Sequence, residues 1–192
     1  MFRRTYLGAA ALVGAALLAG CTTTARPVPV ARRLSNPSFE DGMDGWTVGT
    51  HLPVDPNDPD GGPVATEVRA SAVRASDGDR SLRLFIDGLQ DDGTLWVQQS
   101  VDLTGVETVS VDVWSPFESF NTISKVAVYA GPDPGRPLTE ADFDVVRAVE
   151  DHAGWHTHTY PVTEARDGLV AVGISVVWET ELERGVDRVR LA

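Results

Sequence analysis

The sequence predicts an all-β domain, an antiparallel β-sandwich. Short segments in which apolar and polar residues alternate recur along the chain from residue 64 onward, and Gly, Pro and Asp residues separate them. Alternation with a period of two is typical of strands that are buried on one face. Many short strands separated by turn residues indicate two packed antiparallel sheets rather than a helical fold.

The alternation is clearest in Ser81–Ile86, Thr108–Ser115 and 169–179, which carry an apolar residue at every second position. A short helical turn is expected just after Leu138, because Thr139 and Asp142 have the spacing of a capping box. The other candidate strands bring the total to eight or nine; they are 64–75, 94–103, 123–130, 155–162 and 186–191.

Four segments in order resemble carbohydrate-binding modules with the galactose-binding-like jelly roll. The NPSFEDGMDGW segment at 36–46 is similar to the opening of these modules, and 75–84 and 99–103 are similar to their second and third segments. Trp155 and residues 186–191 are similar to their closing strands. The resemblance implies a jelly-roll sandwich, and it favours carbohydrate binding as the function, although the same sandwich also serves protein adhesion and structural roles.

The resemblance also implies a structural calcium ion between the first and last strands. It points to Glu40 and Asp187 as side-chain ligands, with backbone oxygens near Ser38 and Arg80 assisting. Calcium is a hard cation that prefers carboxylate and carbonyl oxygens, so these residue types suit it.

The last predicted strand bears on the same site. Asp187, Val189 and Leu191 would share one face, so the carboxylate would point inward with the apolar pair and would require a cation or strong hydrogen bonds. In the alternative, Asp187 lies at the end of the strand, where it accepts hydrogen bonds from backbone amides or pairs with Arg188.

Two tryptophans are candidates for a sugar-binding platform. Trp96 shares a strand side with Gln98, and Trp114 shares a strand side with Asp112, so each indole lies on a polar face. An exposed aromatic ring beside amides and carboxylates is one mark of a binding surface.

The alternative for both residues is burial beneath a connecting segment, either 53–63 or 131–154. This alternative would favour a structural or adhesive module over a sugar-binding one. Trp46, Trp155 and Trp178 are expected in the core, the first two because they lie in family-like motifs and the third because its strand face is apolar.

The N-terminus predicts export and a lipid anchor. Two arginines precede a short apolar run, and the small residues that follow lead to Cys21, so residues 1–20 read as a signal peptide. The residues before Cys21 resemble a lipobox, which implies a lipid on that cysteine and a position on the extracellular face of the cell membrane. Residues 21–34 then form a flexible tether, and residues 35–192 form the folded domain.

The charge of the chain restricts its partners. The formal net charge is −12, and nucleic acid is therefore an unsuitable partner. Of the 16 basic residues only Lys125 is a lysine. This bias, together with the excess of acids, resembles proteins of salt-loving archaea.

The sequence carries no familiar catalytic motif, so we expect a protein that is not an enzyme. His152, His156 and His158 could bind zinc, but a third strong ligand beyond a His-x-His pair is not evident, and surface histidines are the more common case. The favoured hypothesis is a non-catalytic surface lipoprotein that binds a glycan or polysaccharide. The alternatives are a structural or adhesive module that contacts protein, and an accessory domain that works with a separate surface enzyme or transporter.

Overall fold

The computed structural model describes residues 32–116, 124–143, 152–178 and 180–192, and their secondary structure is almost entirely β. Residues 1–20 and Cys21, on which the predicted signal peptide and lipid anchor depend, lie outside the described residues. The nine strands are β1 Thr47–His51, β2 Thr66–Ser71, β3 Ser81–Ile86, β4 Thr94–Val101, β5 Thr108–Ser115, β6 Ser124–Pro132, β7 Gly154–Pro161, β8 Gly168–Val176 and β9 Leu182–Leu191.

The strands form two sheets, and every pairing is antiparallel. One sheet has four strands in the order β1-β4-β8-β6, and the other has five in the order β2-β3-β9-β5-β7. This confirms the predicted antiparallel β-sandwich. Within the described residues, no helix is long and apolar enough to cross a membrane.

The core fills the space between the two sheets with the apolar side chains of alternating positions. In β3 and β5 the apolar residues at every second position are fully buried, as the alternation predicts. Phe39 and Trp46 close one end of this core with rings 5.3 Å apart, which confirms the core position predicted for Trp46. The fully buried members include Leu82, Leu84, Ile86, Val109, Val111, Val113, Leu95, Val97, Val172 and Ile174.

A second, smaller apolar cluster lies on the outward face of the four-stranded sheet, around Trp96. The pairing register places Gly49 and Gly173 on either side of Trp96, and Ala127 beyond Gly173. These small residues leave room for one indole, which Phe143 covers in an edge-on contact with centroids 4.9 Å apart. Trp96 is consequently only 1% exposed.

Several strand limits differ from the sequence expectation. β1 was not predicted, because its five residues are mostly exposed and show no apolar alternation. The eighth strand ends at Val176 rather than at residue 179, and Trp178 beyond it is 58% exposed. The prediction that Trp178 lies in the core was therefore wrong, because the alternation that suggested it continues past the last paired residue.

The predicted helical turn is present as a 3₁₀ turn at Glu140–Asp142. The carboxylate of Asp142 accepts a hydrogen bond of 2.7 Å from the backbone N–H of Thr139, as a capping box requires. Arg136 donates two hydrogen bonds to the same carboxylate. The turn places Phe143 over Trp96, so it is part of the covering of this sheet.

Gly173→Ala is expected to destabilise the sandwich. A Cβ at Gly173 would overlap the carbonyl oxygen of Leu95 and the Cα of Trp96, and backbone atoms in the middle of a sheet have little freedom to move. We expect the free energy of unfolding to fall by about 2 kcal/mol or more, measured by denaturant titration.

Gly131→Ala is the matched control, because Gly131 lies in the same sheet and the nearest atom to its added Cβ would be 3.4 Å away. This variant should stay within about 1 kcal/mol of the parent protein. Equal stability of the two variants would contradict the close packing described around Trp96.

Candidate functional site

One row of residues crosses the outward face of the five-stranded sheet. In register across the strands, the row consists of Arg69, Arg83, Gly185, Trp114 and Trp155. We call these five residues the cross-sheet row. Adjacent strands lie about 4.8 Å apart, so the row is roughly 19 Å long. One half of it is cationic and the other half is aromatic.

Gly185 lies at the middle of the cross-sheet row and is buried, because the indole of Trp155 packs beside it. A Cβ at this position would lie 3.1 Å from the Cβ of Trp114 and 3.1 Å from Cη2 of Trp155, so the indole of Trp155 extends across β5 toward β9. Both tryptophans are half-buried. The core position predicted for Trp155 was wrong, because its cross-strand partner is Trp114, on the outward face.

Arg74, on the connection after β2, covers the indole of Trp114. Its guanidinium carbon lies 3.4 Å from the ring centroid, which is a cation–π contact. Arg74 and Gly185 also form part of the wall of a cavity of about 360 Å³ on the same face. The cavity therefore begins where the aromatic half of the row ends.

Arginines and glutamates alternate along the floor of this cavity, in an arrangement that we call the arginine–glutamate chain. Arg83 lies at its centre and donates hydrogen bonds to Glu67 and, at 2.7 and 2.9 Å, to Glu183. Arg69 pairs with Glu67 at one end, and Arg74 pairs with Glu183 at 3.3 Å at the other. Arginine thus occupies the centre and both ends, with one more positive than negative charge.

The environment of Glu183 combines opposing effects. Burial raises the pKa of this carboxyl, but the hydrogen bond from Arg83 and the charges of Arg83 and Arg74 outweigh burial, so the pKa is lowered from its ordinary value of 4.5. The same pairing raises the pKa of Arg83. Glu183 and Arg83 therefore form an ionised pair at neutral pH.

Asp112 is buried beside the row, and all of its partners are side chains. Ser76 and Thr157 donate hydrogen bonds of 2.7 and 2.6 Å to it, and Arg188 approaches it at 2.9 Å. Arg190 lies 3.5 Å from the other oxygen. The carboxylate thus holds two arginines in place on the outward face.

A β-bulge changes the side on which Asp187 lies. β9 has one extra residue between its paired positions, and Arg188 adopts the left-handed conformation with φ of 48°. Val186 and Val189 both point into the core, so Asp187 lies on the opposite, outward side. The expectation that Asp187 shares a face with Val189 was wrong, because the bulge reverses the alternation between them.

The carboxylate of Asp187 is nonetheless fully buried, because the loop after β2 covers it. It accepts hydrogen bonds from the backbone N–H groups of Ser76, Asp77 and Arg188 at 2.7, 3.0 and 2.7 Å. Burial raises the pKa of Asp187, and these amide hydrogen bonds oppose that rise. The structure therefore has the alternative considered for this residue, in which it accepts hydrogen bonds from backbone amides.

Glu40, the other residue predicted to bind calcium, contacts the same loop. One of its oxygens accepts hydrogen bonds of 2.9 Å from the backbone N–H groups of both Asp79 and Arg80. Glu40 and Asp187 are thus surrounded by N–H donors, whereas calcium requires a shell of oxygens. No group of three or more His, Cys, Asp or Glu side chains suited to a metal occurs in the described ranges. The hydrogen bonds satisfy both carboxylates without a cation, and calcium at this position stays a prediction.

The four residues predicted to contact sugar do not come together. Trp96 and Gln98 lie on β4 in the four-stranded sheet, whereas Asp112 and Trp114 lie on β5 in the five-stranded sheet. Gln98 accepts a hydrogen bond of 2.6 Å from the indole of Trp96 and lines a groove of about 450 Å³. Trp96 itself has no ring face at the surface, which is the predicted alternative of burial beneath 131–154. Trp114 is half-buried beneath Arg74, and Trp155 is the member of the site that sequence reasoning missed.

The three histidines cluster as the sequence suggested. The rings of His152 and His156 are stacked with centroids 4.4 Å apart, and His158 lies 5.7 and 6.4 Å from them. Stacked parallel rings direct their nitrogens outward at their edges rather than toward a common point. In the described part of the chain, these three histidines do not form a group that could hold a metal ion.

No protein-family model matches the chain, and no curated protein matches its sequence. Similar solved structures exist. A structure of carbohydrate-binding modules from the β-sandwich superfamily has a TM-score of 0.52 and 16% identity, over 84% of this chain and 63% of that one. The K3 cleaved adhesin domain of Lys-gingipain from Porphyromonas gingivalis has a TM-score of 0.51 and 15% identity, over 83% of this chain and 96% of that one. A Stig cyclase from Fischerella sp. TAU has a TM-score of 0.52 and 15% identity, over 84% of this chain and 96% of that one.

These similarities confirm the predicted jelly-roll β-sandwich. At 15–16% identity they show the fold alone. The three proteins are a carbohydrate-binding module, an adhesin domain and a cyclase, so the fold is shared by different functions. The function of this chain therefore has to be argued from its own cross-sheet row.

Glu183→Gln is expected to change how stability depends on pH. A carboxyl with a lowered pKa stabilises the folded state above its unfolded pKa, and that contribution is lost as the pH falls through the folded value. At neutral pH the variant should be less stable than the parent by about 1 kcal/mol. The difference should shrink as the pH falls below 4.5, measured by thermal unfolding across a pH series.

Glu181→Gln is the matched control, because Glu181 lies two residues away, is exposed, and makes no ion pair with the described residues. Its stability should differ little from that of the parent at every pH. A constant difference between Glu183→Gln and the parent from neutral to acid pH would contradict the assigned role of the arginine–glutamate chain.

Proposed function

We propose that this protein is a non-catalytic, lipid-anchored surface protein whose jelly roll binds carbohydrate on the outward face of the five-stranded sheet. The observation that carries this proposal is the cross-sheet row. Its aromatic half, Trp114 and Trp155, lies in register on neighbouring strands and borders a cavity of about 360 Å³ lined by charged side chains.

The two halves of the row suit the two kinds of surface that a sugar presents. The C–H face of a pyranose packs against an indole, and Trp114 and Trp155 are both only half-buried. Sugar hydroxyls need donors and acceptors nearby, and the arginine–glutamate chain supplies both. Gly185 supports the proposal because its lack of a side chain allows the indole of Trp155 to lie close to Trp114.

The non-catalytic part of the proposal is supported by the state of the carboxylates. Glu67 and Glu183 are ion-paired with Arg83, and Asp112 accepts hydrogen bonds from Ser76 and Thr157 and lies beside two arginines. A general acid must carry a proton, and the lowered pKa of Glu183 keeps this carboxyl ionised at neutral pH. Carboxylates of this kind are suited to positioning a ligand.

A second candidate is an adhesive module that contacts protein. Trp178 is 58% exposed and Val73 is 74% exposed, and large apolar side chains at the surface are frequent in protein contacts. The similarity to a cleaved adhesin domain is compatible with this candidate. It predicts that Trp178, rather than Trp114, determines binding.

The location belongs to the proposal as well. The signal peptide at 1–20 and the lipobox-like residues before Cys21 support a lipid anchor on the extracellular face of the cell membrane. The residues from 21 to 34 would connect this anchor to the sandwich. A separately encoded surface enzyme or transporter could then use the glycan that the sandwich holds.

Trp114→Ala is expected to abolish retention of the full chain on immobilised polysaccharide. We expect affinity to fall at least about tenfold, because a stacking surface at the centre of a binding site contributes more than about 1.4 kcal/mol. The measurement is affinity electrophoresis on gels that contain galactan, xylan, β-glucan or polygalacturonate, with near-ultraviolet circular dichroism to check folding.

Trp178→Ala is the matched control, since Trp178 is an exposed tryptophan away from the row. It should be retained as strongly as the parent. Failure of the parent to be retained on any polysaccharide would contradict carbohydrate binding, and loss of binding in Trp178→Ala alone would favour the adhesive candidate.

Cys21→Ser is expected to release the protein from the membrane. Cys21 is the only cysteine in the chain, so its replacement removes the only thiol that a lipid could modify. The parent should partition into the detergent phase and the variant into the aqueous phase, whereas Thr22→Ser should behave as the parent does. Detergent-phase partitioning of Cys21→Ser would contradict the lipid anchor.

A further inference from the structure

We infer that the carbohydrate bound by the cross-sheet row is an acidic one, with the sugar ring on Trp114 and Trp155 and its anionic group at Arg69 and Arg83. This inference rests on the proposed carbohydrate binding and names the ligand class. The anionic group is a carboxylate or a sulfate, and the experiment below distinguishes the two.

The first step in the argument is the order of the residues in the row. The register leads from two indoles, across Gly185, to two guanidinium groups. A ligand that lies along the row therefore meets an apolar surface first and cations next. A neutral sugar would use the aromatic half alone, whereas a sugar with an anionic substituent uses both halves.

The second step is the composition of the arginine–glutamate chain. Two carboxylates are distributed among three guanidinium groups, and both terminal positions are arginines. The side chain of Arg69 is 51% exposed and uses only its Nε to bind Glu67 among the described residues. About half of this guanidinium-bearing side chain is thus accessible to solvent, and planar guanidinium groups are well suited to oxyanions.

The third step concerns Arg74, which lies over Trp114. A sugar ring can stack on the covered part of this indole only when Arg74 moves aside. Glu183 holds Arg74 at 3.3 Å, a weaker contact than the two that it makes with Arg83. An anionic group on the ligand offers Arg74 a new partner as it leaves the ring, whereas a neutral sugar offers it none.

The fourth step is the charge of the chain as a whole. With a net charge of −12, most of the surface repels an acidic polymer. Five arginines nevertheless lie on this one face, with three carboxylates among them and Asp187 buried beneath the loop. The face carries Arg69, Arg74, Arg83, Arg188 and Arg190 together with Glu67, Glu183 and Asp112.

The loop that covers Asp187 determines the direction of binding. Asp77 and Asp79 lie on this loop, which is anchored to β9 at Asp187, two residues beyond Gly185 of the row. These carboxylates would repel an anionic group placed beside them. The anionic group is therefore placed at the β2 and β3 end of the row, at Arg69 and Arg83.

The test measures binding of the full chain to polygalacturonate, to a sulfated galactan and to neutral galactan by affinity electrophoresis. We expect retention on at least one acidic polysaccharide to exceed retention on neutral galactan by about tenfold or more. Retention should weaken as NaCl rises from about 0.2 M to about 1 M, because salt screens exposed charges. Preference for polygalacturonate assigns a carboxylate to the site, and preference for the sulfated galactan assigns a sulfate.

Arg69→Gln should weaken binding of the preferred acidic polysaccharide by about tenfold. Arg136→Gln is the matched control, because Arg136 is 54% exposed and also ion-paired, but lies beside the four-stranded sheet. Its binding should match that of the parent.

The outcomes separate the two proposals. Equal or stronger retention on neutral galactan, lost in Trp114→Ala, would overturn the acidic ligand and leave carbohydrate binding intact. Equal weakening by Arg69→Gln and Arg136→Gln would also overturn it, because binding would then follow overall charge. No retention of the parent on any of the three polysaccharides would overturn the acidic ligand, and carbohydrate binding would be overturned as well if xylan and β-glucan also failed to retain it.

Discussion

The insertion of β9 between β3 and β5 is the constraint on which the candidate site depends. Without β9, the five-stranded sheet would be two separate strand pairs, β2-β3 and β5-β7. β9 joins the arginines of one pair to the tryptophans of the other, and it contributes Gly185 at the junction. The pairing joins residues about one hundred positions apart, so its loop-closure entropy must be offset by the apolar area buried beneath the joined sheet.

The local pattern of the sequence was sufficient to predict most of the strands and the fold, but not β1 or the site. Ser81–Ile86 and Thr108–Ser115 have the predicted bounds, because strand alternation is a local property. The sheet in which a strand lies depends on distant partners. Nothing near Trp96 indicates that Gly49 and Gly173 will lie beside it and allow its burial. Trp114 and Trp155 are likewise neighbours only through the register of β5 and β7.

The bulge in β9 marks a second limit of pattern reading. One additional residue in the left-handed conformation at Arg188 reverses the faces of every position before it relative to those after it. Leu182 was also not recognised as the start of this strand, because Arg184 occupies a core position where an apolar residue is expected. Arg184 donates a hydrogen bond of 3.1 Å to Ser124 of the opposite sheet, so a polar residue connects the two layers there. Arg184 thus occupies a position that strand alternation would assign to an apolar residue.

The point at which the chain enters the sandwich has a consequence for how the protein would be oriented at a cell surface. Ser35 and Gln99 exchange hydrogen bonds of 2.7 and 3.0 Å near the end of β4, beside the connection that leads to the start of β5. The cross-sheet row meets β5 at Trp114, near the other end of that strand and about 20 Å farther along it. Residues 21–34 can span at most about 50 Å. The end of the domain that faces the membrane would then carry the tether. The opposite end would carry the aromatic and cationic residues, so a long polymer could bind there without contacting the lipid headgroups.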